Sequence, residues 1–315
     1  VTFTCILKAC SITRAIEKGK EIHNQIVDRG LLEKDSVLGN ALVDMYAKCG
    51  LLAKALEVCE ELPLQDVVSW SALIAAYAQQ GQAHEALNCF LQLQKEGLHP
   101  DGVTFTCILS VCGSMRAIDE GERIHDAIVS RGLLEKNLVL VGALVGMYAK
   151  CGELAKAQKV LEDLPVRDIV SWSTLIAGYA ECGDHEEALN HFDMMRLEGF
   201  SQDVVTYICI LKACGNIERI SKGQEIHVEI IKEGFEDEHF IQNSLVDMYA
   251  SCGLLVEAQD VFDNLQVQDI VSWNSLIAGY AELGLYDEVM KRFYQMQDEG
   301  VFIDSVTFLC VLKAC

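Results

Sequence analysis

The sequence predicts an all-α chain, an α-solenoid superhelix of helix-turn-helix repeats with nine repeats plus one terminal helix. Three observations predict it. The chain repeats itself with a period of 102 and then 101 residues. Each period holds three smaller units that share one skeleton. Proline stands only at Pro63, Pro100 and Pro165, so almost nothing interrupts a helical hydrogen-bond ladder.

The large period is explicit in the residues. VTFTCIL at Val1 returns as VTFTCIL at Val103, VTYICIL at Val205 and VTFLCVL at Val306. MYAKCG at Met45 returns at Met147 and as MYASCG at Met248. VSWSALIAAYA at Val68 returns as VSWSTLIAGYA at Val170 and VSWNSLIAGYA at Val271. Self-similarity at a fixed period marks a repeat array, which overrides the two or three domains that 315 residues would otherwise suggest.

Within a small unit, an apolar helix of about a dozen residues comes first, then a short turn, then an amphipathic helix. In the unit at Val67, Trp70, Leu73, Ile74 and Tyr77 fall at helical spacing. Gly81 breaks the helix, and Ala86, Leu87, Phe90 and Leu93 form the apolar stripe of the second one. Gly97 reads as a helix C-cap and Pro100 prevents continuation. Two such helices cannot bury their apolar faces alone, so stacked neighbours bury them, with the first helices lining a concave face. The skeleton sets the units at 1–35, 36–66, 67–101, 102–137, 138–168, 169–203, 204–238, 239–269 and 270–304, with a first helix only at 305–315. The unit at 204–238 is one residue shorter than that at 102–137, and the gap is expected in the loop between Gly234 and Asn243.

Composition narrows the class. The chain is 51% hydrophobic, but no apolar run approaches the roughly 20 residues needed to span a bilayer, so no membrane partner is expected. It opens mid-pattern at Val1 and stops mid-pattern at Cys315, which predicts an excerpt whose targeting segment lies elsewhere. Eleven of the fourteen cysteines recur in fixed phase, and no pair has CxxC spacing. They read as small buried apolar side chains in a reducing compartment rather than as a disulfide or zinc framework. Copies about 100 residues apart should not lie side by side.

LKACSITRAIEKGKEIHNQIVDRG, GNALVDMYAKCG and VSWSALIAAYAQQGQAHEALNCFLQLQKEGLHPD resemble the long, short and standard units of the PLS class of plant pentatricopeptide repeat proteins. The resemblance covers the whole chain. Long-type units would be 1–35, 102–137, 204–238 and the partial 305–315; short-type units 36–66, 138–168 and 239–269; standard-type units 67–101, 169–203 and 270–304. The tetratricopeptide repeat is the nearest competitor, and its regular Trp-Leu-Gly-Tyr pattern is missing.

The resemblance implies sequence-specific binding of single-stranded RNA in a mitochondrion or chloroplast, one base per repeat, as the recognition part of an RNA-editing or RNA-processing factor. It assigns base reading to a residue early in each first helix and to the last residue of the unit. The pairs are Thr4 with Asp35, Asn40 with Asp66, Ser71 with Asp101, Thr106 with Asn137 and Gly142 with Asp168. Ser173 with Asp203, Ile208 with Glu238, Asn243 with Asp269, and Asn274 with Asp304 complete the set. Three residues before each first reader stands an apolar residue that would sandwich the base: Val1, Val37, Val68, Val103, Val139, Val170, Val205, Phe240, Val271 and Val306. The alternative is that these are core residues at helix starts, and that the Ser, Thr, Asp and Asn residues are N-caps. Capping suits the last residue of a unit better than the first reader, which should already lie inside the helix.

By the family's code the chain would read weak G, U, G, weak A, unread, G, unread, U, U from 5′ to 3′. Gly142 has no side chain and Ile208 cannot hydrogen-bond, hence the two blanks. Lys48 and Lys150, near the ends of equivalent first helices, are the candidate phosphate contacts; Ser251 replaces them in the third period.

The net charge of −22 runs against a basic nucleic-acid surface. The opening fourteen residues of the units hold six basic and four acidic residues, for +2, so the rest carries −24. Base contacts should therefore carry an unusual share of the affinity. No enzyme is predicted: His227-Val228-Glu229 matches half of a zinc-deaminase signature, but the paired cysteines are missing, and His23, His125 and His227 suit packing or surface roles. No cofactor or metal is expected. The competing function is a protein-binding scaffold, since the resemblance implies that long-type units also dock a small editing-cofactor protein. Uncapped ends of the array would permit self-association.

Overall fold

The computed structural model describes residues 2–32, 35–62, 66–134, 137–163 and 167–314. Two compact units, Val1–Val166 and Arg167–Cys315, divide the chain. The first contains α1 (Thr2–Thr13), α2 (Ile16–Asp28), α3 (Ser36–Lys48), α4 (Leu52–Glu61), α5 (Val67–Gln79), α6 (Ala83–Lys95), α7 (Gly102–Met115), α8 (Ile118–Ser130), α9 (Leu138–Lys150) and α10 (Leu154–Glu162). The second contains α11 (Ile169–Cys182), α12 (His185–Leu197), α13 (Val204–Asn216), α14 (Ile220–Glu233), α15 (His239–Ser251), α16 (Leu255–Asp263), α17 (Ile270–Glu282), α18 (Tyr286–Asp298) and α19 (Ser305–Ala314). There is no strand among the described residues.

Each unit is an α-solenoid stack of helical hairpins. The odd-numbered helices pack on one another in chain order, α1 to α9 in one unit and α11 to α19 in the other. Each even-numbered helix packs on its own odd partner and, within its unit, on the next odd helix. We number the hairpins 1 to 9 from their odd helix, so hairpin 3 is α5 with α6.

Hairpin 3 shows why these residues fold this way. Asp66 caps α5 by accepting from the Val68 and Ser69 amides at 3.0 and 3.1 Å, which satisfies donors that a helix start leaves open. Trp70, Leu73, Ile74 and Tyr77 are all buried. In α6 the buried stripe is Ala86, Cys89, Phe90 and Leu93. Leu87 is only half-buried, because the spacing i, i+3, i+4, i+7 from Ala86 selects Cys89 and Phe90 instead. The helix ends at Gly97 with φ +71°. The Gly97 amide reaches the Gln94 carbonyl at 3.0 Å and the Leu98 amide the Leu93 carbonyl at 3.2 Å, a pairing that needs the left-handed conformation glycine adopts freely.

The periodic histidines serve packing between hairpins. Nδ1 of His23, His125 and His227 lies 2.9, 2.8 and 2.8 Å from the hydroxyls of Tyr46, Tyr148 and Tyr249. Burial pushes all three imidazoles below their ordinary value and raises the tyrosines, Tyr148 to about 12, so neutral partners share each bond. Beside them, a Cβ on Gly19, Gly121 or Gly223 would lie within 2.5–2.6 Å of the sulfur of Met45, Met147 or Met248. The glycines let the next hairpin's methionine sit against the helix backbone.

The cysteines do not all behave as core residues. Cys10, Cys59, Cys89, Cys112, Cys214 and Cys310 are buried, but Cys5 and Cys182 are exposed. Cysteines of different phase also come close: the Cys49 thiol lies 3.8 Å from the Cys10 carbonyl, and the Cys252 thiol 3.8 Å from that of Cys214. The described cysteines are all free thiols, and the described residues contain no cluster suited to a metal ion. No described helix is long and apolar enough to cross a membrane. α14 is one residue longer than α8, and residues 234–238 separate it from α15 where 131–137 separate α8 from α9.

Candidate nucleic-acid interface

The apolar residues at the second position of the first helices are not core. Val37, Val68, Val103, Val139 and Val170 are 59–70% exposed, and Val205, Phe240, Val271 and Val306 are 50–67% exposed. Val1 lies outside the described residues. A single exposed valine is ordinary. Four at one repeat position in the first unit and five in the second form stripes that packing within each unit leaves unexplained. The residue three places on shares the same helix face one turn later, and that residue is the first member of each polar pair.

The last residue of a hairpin caps the next first helix. Asp35 accepts from the Val37 and Leu38 amides, Asp101 from Thr104, Asn137 from Leu140, Asp168 from Ser171, Asp203 from Thr206 and Asp269 from Val271 and Ser272. Asp304 accepts from the Thr307 amide at 2.9 Å. Glu238 occupies the same place without a capping bond. One carboxylate oxygen satisfies the helix and leaves the other free.

In four hairpins that second oxygen, or the same carboxylate, meets the first member directly. The Asn40 amide donates to Asp66 at 2.8 Å, Asn243 to Asp269 at 3.2 Å, Asn274 to Asp304 at 3.1 Å, and the Ser173 hydroxyl lies 3.3 Å from Asp203. Residues 26 or 30 apart in sequence thus converge between successive first helices. The carboxylate also orients the amide: the NH2 must face the acid, so the carbonyl oxygen faces away. That oxygen is buried and without a partner in Asn40 and in Asn243. An unpaired buried acceptor costs about 1–3 kcal/mol, which a ligand N–H would recover.

Hairpin 8 has an added group. His239, the first residue of α15, lies 2.8 Å from Asp269 and 3.4 Å from the Asn243 amide, and its ring meets Phe240 edge-on. Burial alone would raise the Asp269 carboxyl, but hydrogen bonds from the Ser272 amide, His239 and Asn243 hold it below the ordinary carboxylate value.

The other pairs are incomplete. Thr106 turns its hydroxyl back to the Gly102 carbonyl at 2.8 Å. Thr4 is half-buried, with no bond to Asp35. Gly142 supplies no side chain, and Ile208 is half-buried and apolar. Ser71 reaches Asp101 only through an intermediary, Thr104: Ser71 to Thr104 is 2.5 Å and Thr104 to Asp101 is 2.7 Å.

That intermediary escaped the sequence reading. It recurs as Thr206, 2.7 Å from Ser173 and 2.6 Å from Asp203. It recurs again as Thr307, 2.6 Å from the Asn274 carbonyl oxygen and 2.9 Å from Asp304. All three threonines are fully buried. At the equivalent place after hairpins 2 and 8 stand Ser69 and Ser272, whose hydroxyls turn to the Asp66 and Asp269 carbonyls at 3.1 and 2.9 Å. After hairpins 1, 4 and 7 the residue is Leu38, Leu140 or Ile241. The signal was present in VTF, VTY and VTF at Val103, Val205 and Val306.

Lys48 pairs with Asp44 at 2.9 Å. Lys150 is exposed, with Gly146 where hairpin 2 has Asp44. Many of the remaining cations join acids on the even helices: Lys156 with Glu122, Arg196 with Glu225, Lys222 with Asp193 and Arg219 with Glu186. Exposed pairs of this kind add about 0.2–1 kcal/mol each.

Two family models match this chain. The PPR repeat family matches residues 65–114, 167–216 and 268–315. The PPR repeat matches 1–31, 40–66, 103–133, 139–169 and 243–270. The chain belongs to the pentatricopeptide repeat family. A chloroplastic pentatricopeptide repeat-containing protein of Arabidopsis thaliana is 37% identical over 314 residues, covering 100% of this chain and 51% of that protein. A mitochondrial one, described as putative, is 35% identical, covering 99% of this chain and 50% of that protein. The chain spans about half the length of these relatives. The solved structure of the pentatricopeptide repeat protein PPR10 in complex with an 18-nucleotide psaJ RNA element superposes with a TM-score of 0.75 at 18% identity, covering 95% of this chain and 45% of that one. The likeness is one of fold.

Proposed function

We propose that this pentatricopeptide repeat array binds single-stranded RNA in a sequence-dependent way, one base per hairpin, as the recognition part of an organellar RNA-editing or RNA-processing factor. The observation that carries the reading is the exposed apolar stripe of each unit, Val37 to Val139 in one and Val170 to Val306 in the other, set one helical turn from the converging polar pairs. The apolar residues sandwich a base; the pair meets its Watson–Crick edge. An orphan carbonyl oxygen in Asn40 and Asn243 accepts from uracil N3–H, which supports U at the second and eighth positions. The names of the relatives, chloroplastic and mitochondrial, and the RNA bound to PPR10 support the same reading.

Lys48 and Lys150 contact phosphate in this proposal, and the rest of the surface is acidic, so binding is only mildly salt-dependent. The test is fluorescence anisotropy with labelled RNA in the order G-U-G-A-N-G-N-U-U and a scrambled control. Tighter binding of the ordered RNA is expected, and equal binding defeats the register. A slope of log affinity against log salt equivalent to many phosphate contacts, about −0.7 each on single strands, would contradict the dominance of base contacts.

A second reading has one observation behind it. A half-open cavity of about 560 Å³ lies between α8 and α10, lined by His125, Val129, Leu134, Tyr148, Lys156 and Val160. Its mixed lining, which also includes Lys159 and Asp163, suits a docked partner such as a small editing-cofactor protein. Absence of any RNA shift at low salt would favour this scaffold role. A sedimentation run on the purified chain tests self-association in parallel.

A further inference from the structure

We infer that the buried threonine of the following hairpin (Thr104, Thr206 and Thr307) is a third specificity-determining position, acting by fixing the direction of the hydroxyl proton or amide beside it. The inference rests on the RNA-reading proposal above and extends it from two side chains per base to three at every third junction.

The argument is a count of protons. A serine or threonine hydroxyl has one proton to give and two lone pairs to accept with. At hairpin 6, Thr206 lies 2.6 Å from the Asp203 carboxylate, and its amide donates to the same oxygen at 2.8 Å. The carboxylate is the stronger acceptor, so the Thr206 proton goes there. Ser173 then has two partners within the protein, the Thr206 oxygen at 2.7 Å and Asp203 at 3.3 Å. Either choice spends its proton inward. At hairpin 3, Thr104 gives its proton to Asp101 at 2.7 Å. Ser71 gives its own to Thr104 at 2.5 Å or to the Val67 carbonyl at 2.6 Å. In both hairpins the serine therefore faces a ligand with lone pairs only.

A serine restricted to accepting selects a base edge that donates. Guanine presents N1–H and N2–H beside each other, whereas adenine presents a bare N1 next to its N6 amine. The relay thus favours guanine and places two lone pairs together when adenine enters. Without the threonine hydroxyl, only the longer contact to Asp203 at 3.3 Å holds the Ser173 proton inward, so adenine N1 can compete for it. At hairpin 9 the same device acts on an asparagine. Thr307 has one proton and two acceptors, the Asn274 carbonyl oxygen at 2.6 Å and Asp304 at 2.9 Å; the shorter contact sets the Thr307 hydroxyl against the carbonyl oxygen that stays unpartnered in Asn40 and Asn243. Identical Asn–Asp pairs consequently read differently: hairpins 2 and 8 keep an acceptor for uracil N3–H, and hairpin 9 has it occupied.

The test uses the whole chain and two RNAs that differ only in G or A at the sixth base. The unaltered chain should prefer G by about tenfold, the scale of one misplaced hydrogen bond. Thr206→Val keeps the backbone amide that caps onto Asp203 and should bring the ratio to within about threefold, chiefly through tighter binding of the A form. Thr206→Ser restores the hydroxyl and should restore the ratio. In the same assay Thr307→Val should sharpen the preference for U over C at the ninth base. An unchanged G/A ratio in a folded Thr206→Val chain overturns the proposal. So does a ratio narrowed only by loss of G, which would mean that Thr206 merely places Asp203. If the unaltered chain binds neither RNA, the RNA reading falls and takes this inference with it; if it binds and prefers G while Thr206→Val does the same, only the threonine's role is lost.

Discussion

Hairpins 2 and 5 share most of their first-helix sequence, GNALVDMYAKCG against VGALVGMYAKCG, and they share a scaffold. Tyr46 and Tyr148 meet His23 and His125 at 2.9 and 2.8 Å, and Met45 and Met147 lie over Gly19 and Gly121 at the same closeness. Yet hairpin 2 has Asn40, locked by Asp66 with an orphan oxygen, where hairpin 5 has Gly142. It also has Asp44 tying down Lys48, where hairpin 5 has Gly146 and leaves Lys150 without that acid. The groups that stack hairpins and the groups that would meet a base are therefore separate sets of residues on the same helix. A repeat can lose its reading group and keep its fold.

The largest expected effect tests the shared half of the comparison. Met45→Ala and Met147→Ala should each cost about 2–5 kcal/mol, the range for emptying a buried side-chain site. The two losses, measured by urea denaturation, should agree within about 1 kcal/mol; a larger gap means that the scaffolds are not equivalent.

The next tests the half that differs. Gly142→Asn should stabilise α9 slightly, since glycine is a poor helix former, and should create a preference for U at the fifth base of about tenfold, or ~1.4 kcal/mol. Asn40→Gly should remove the preference at the second base. Retention of base preference by Asn40→Gly would separate the polar pair from recognition.

A smaller effect follows pH and should again be common to both hairpins. Burial holds His23 and His125 below the ordinary value of 6.5. Above that value neither folded nor unfolded chains carry the proton, so nothing changes. As pH falls through it, the unfolded chain takes up protons first, and stability declines until the folded imidazoles protonate as well. Urea midpoints at pH 7.5 and 5.5 should drop with acid in the unaltered chain and drop less in His125→Gln.

The smallest effect distinguishes the two lysines. Lys150→Ala should flatten the salt dependence of RNA binding by about 0.7, one phosphate contact on a single strand. Lys48→Ala should flatten it less, because Asp44 already neutralises that ammonium. Equal changes would show that the Asp44 pair opens at no cost when RNA arrives.

The sequence by itself determined the repeat, the helices and their order. Period and apolar spacing are local properties, and Trp70, Leu73, Ile74 and Tyr77 sit in the core as their spacing requires. It also located Asn40 with Asp66 and Asn274 with Asp304, through family likeness, at positions that the fold brings within hydrogen-bond distance. Only the tertiary structure decided that Val37 and its counterparts are surface residues, because a valine at a helix start has the same pattern whether it faces a neighbour or solvent. The same holds for Thr104, Thr206 and Thr307. Each belongs in sequence to one hairpin and in space to the polar pair of the hairpin before it, 33 residues away from the group it touches. Direction of a hydroxyl proton depends on every acceptor around it, and those acceptors meet only once hairpins stack.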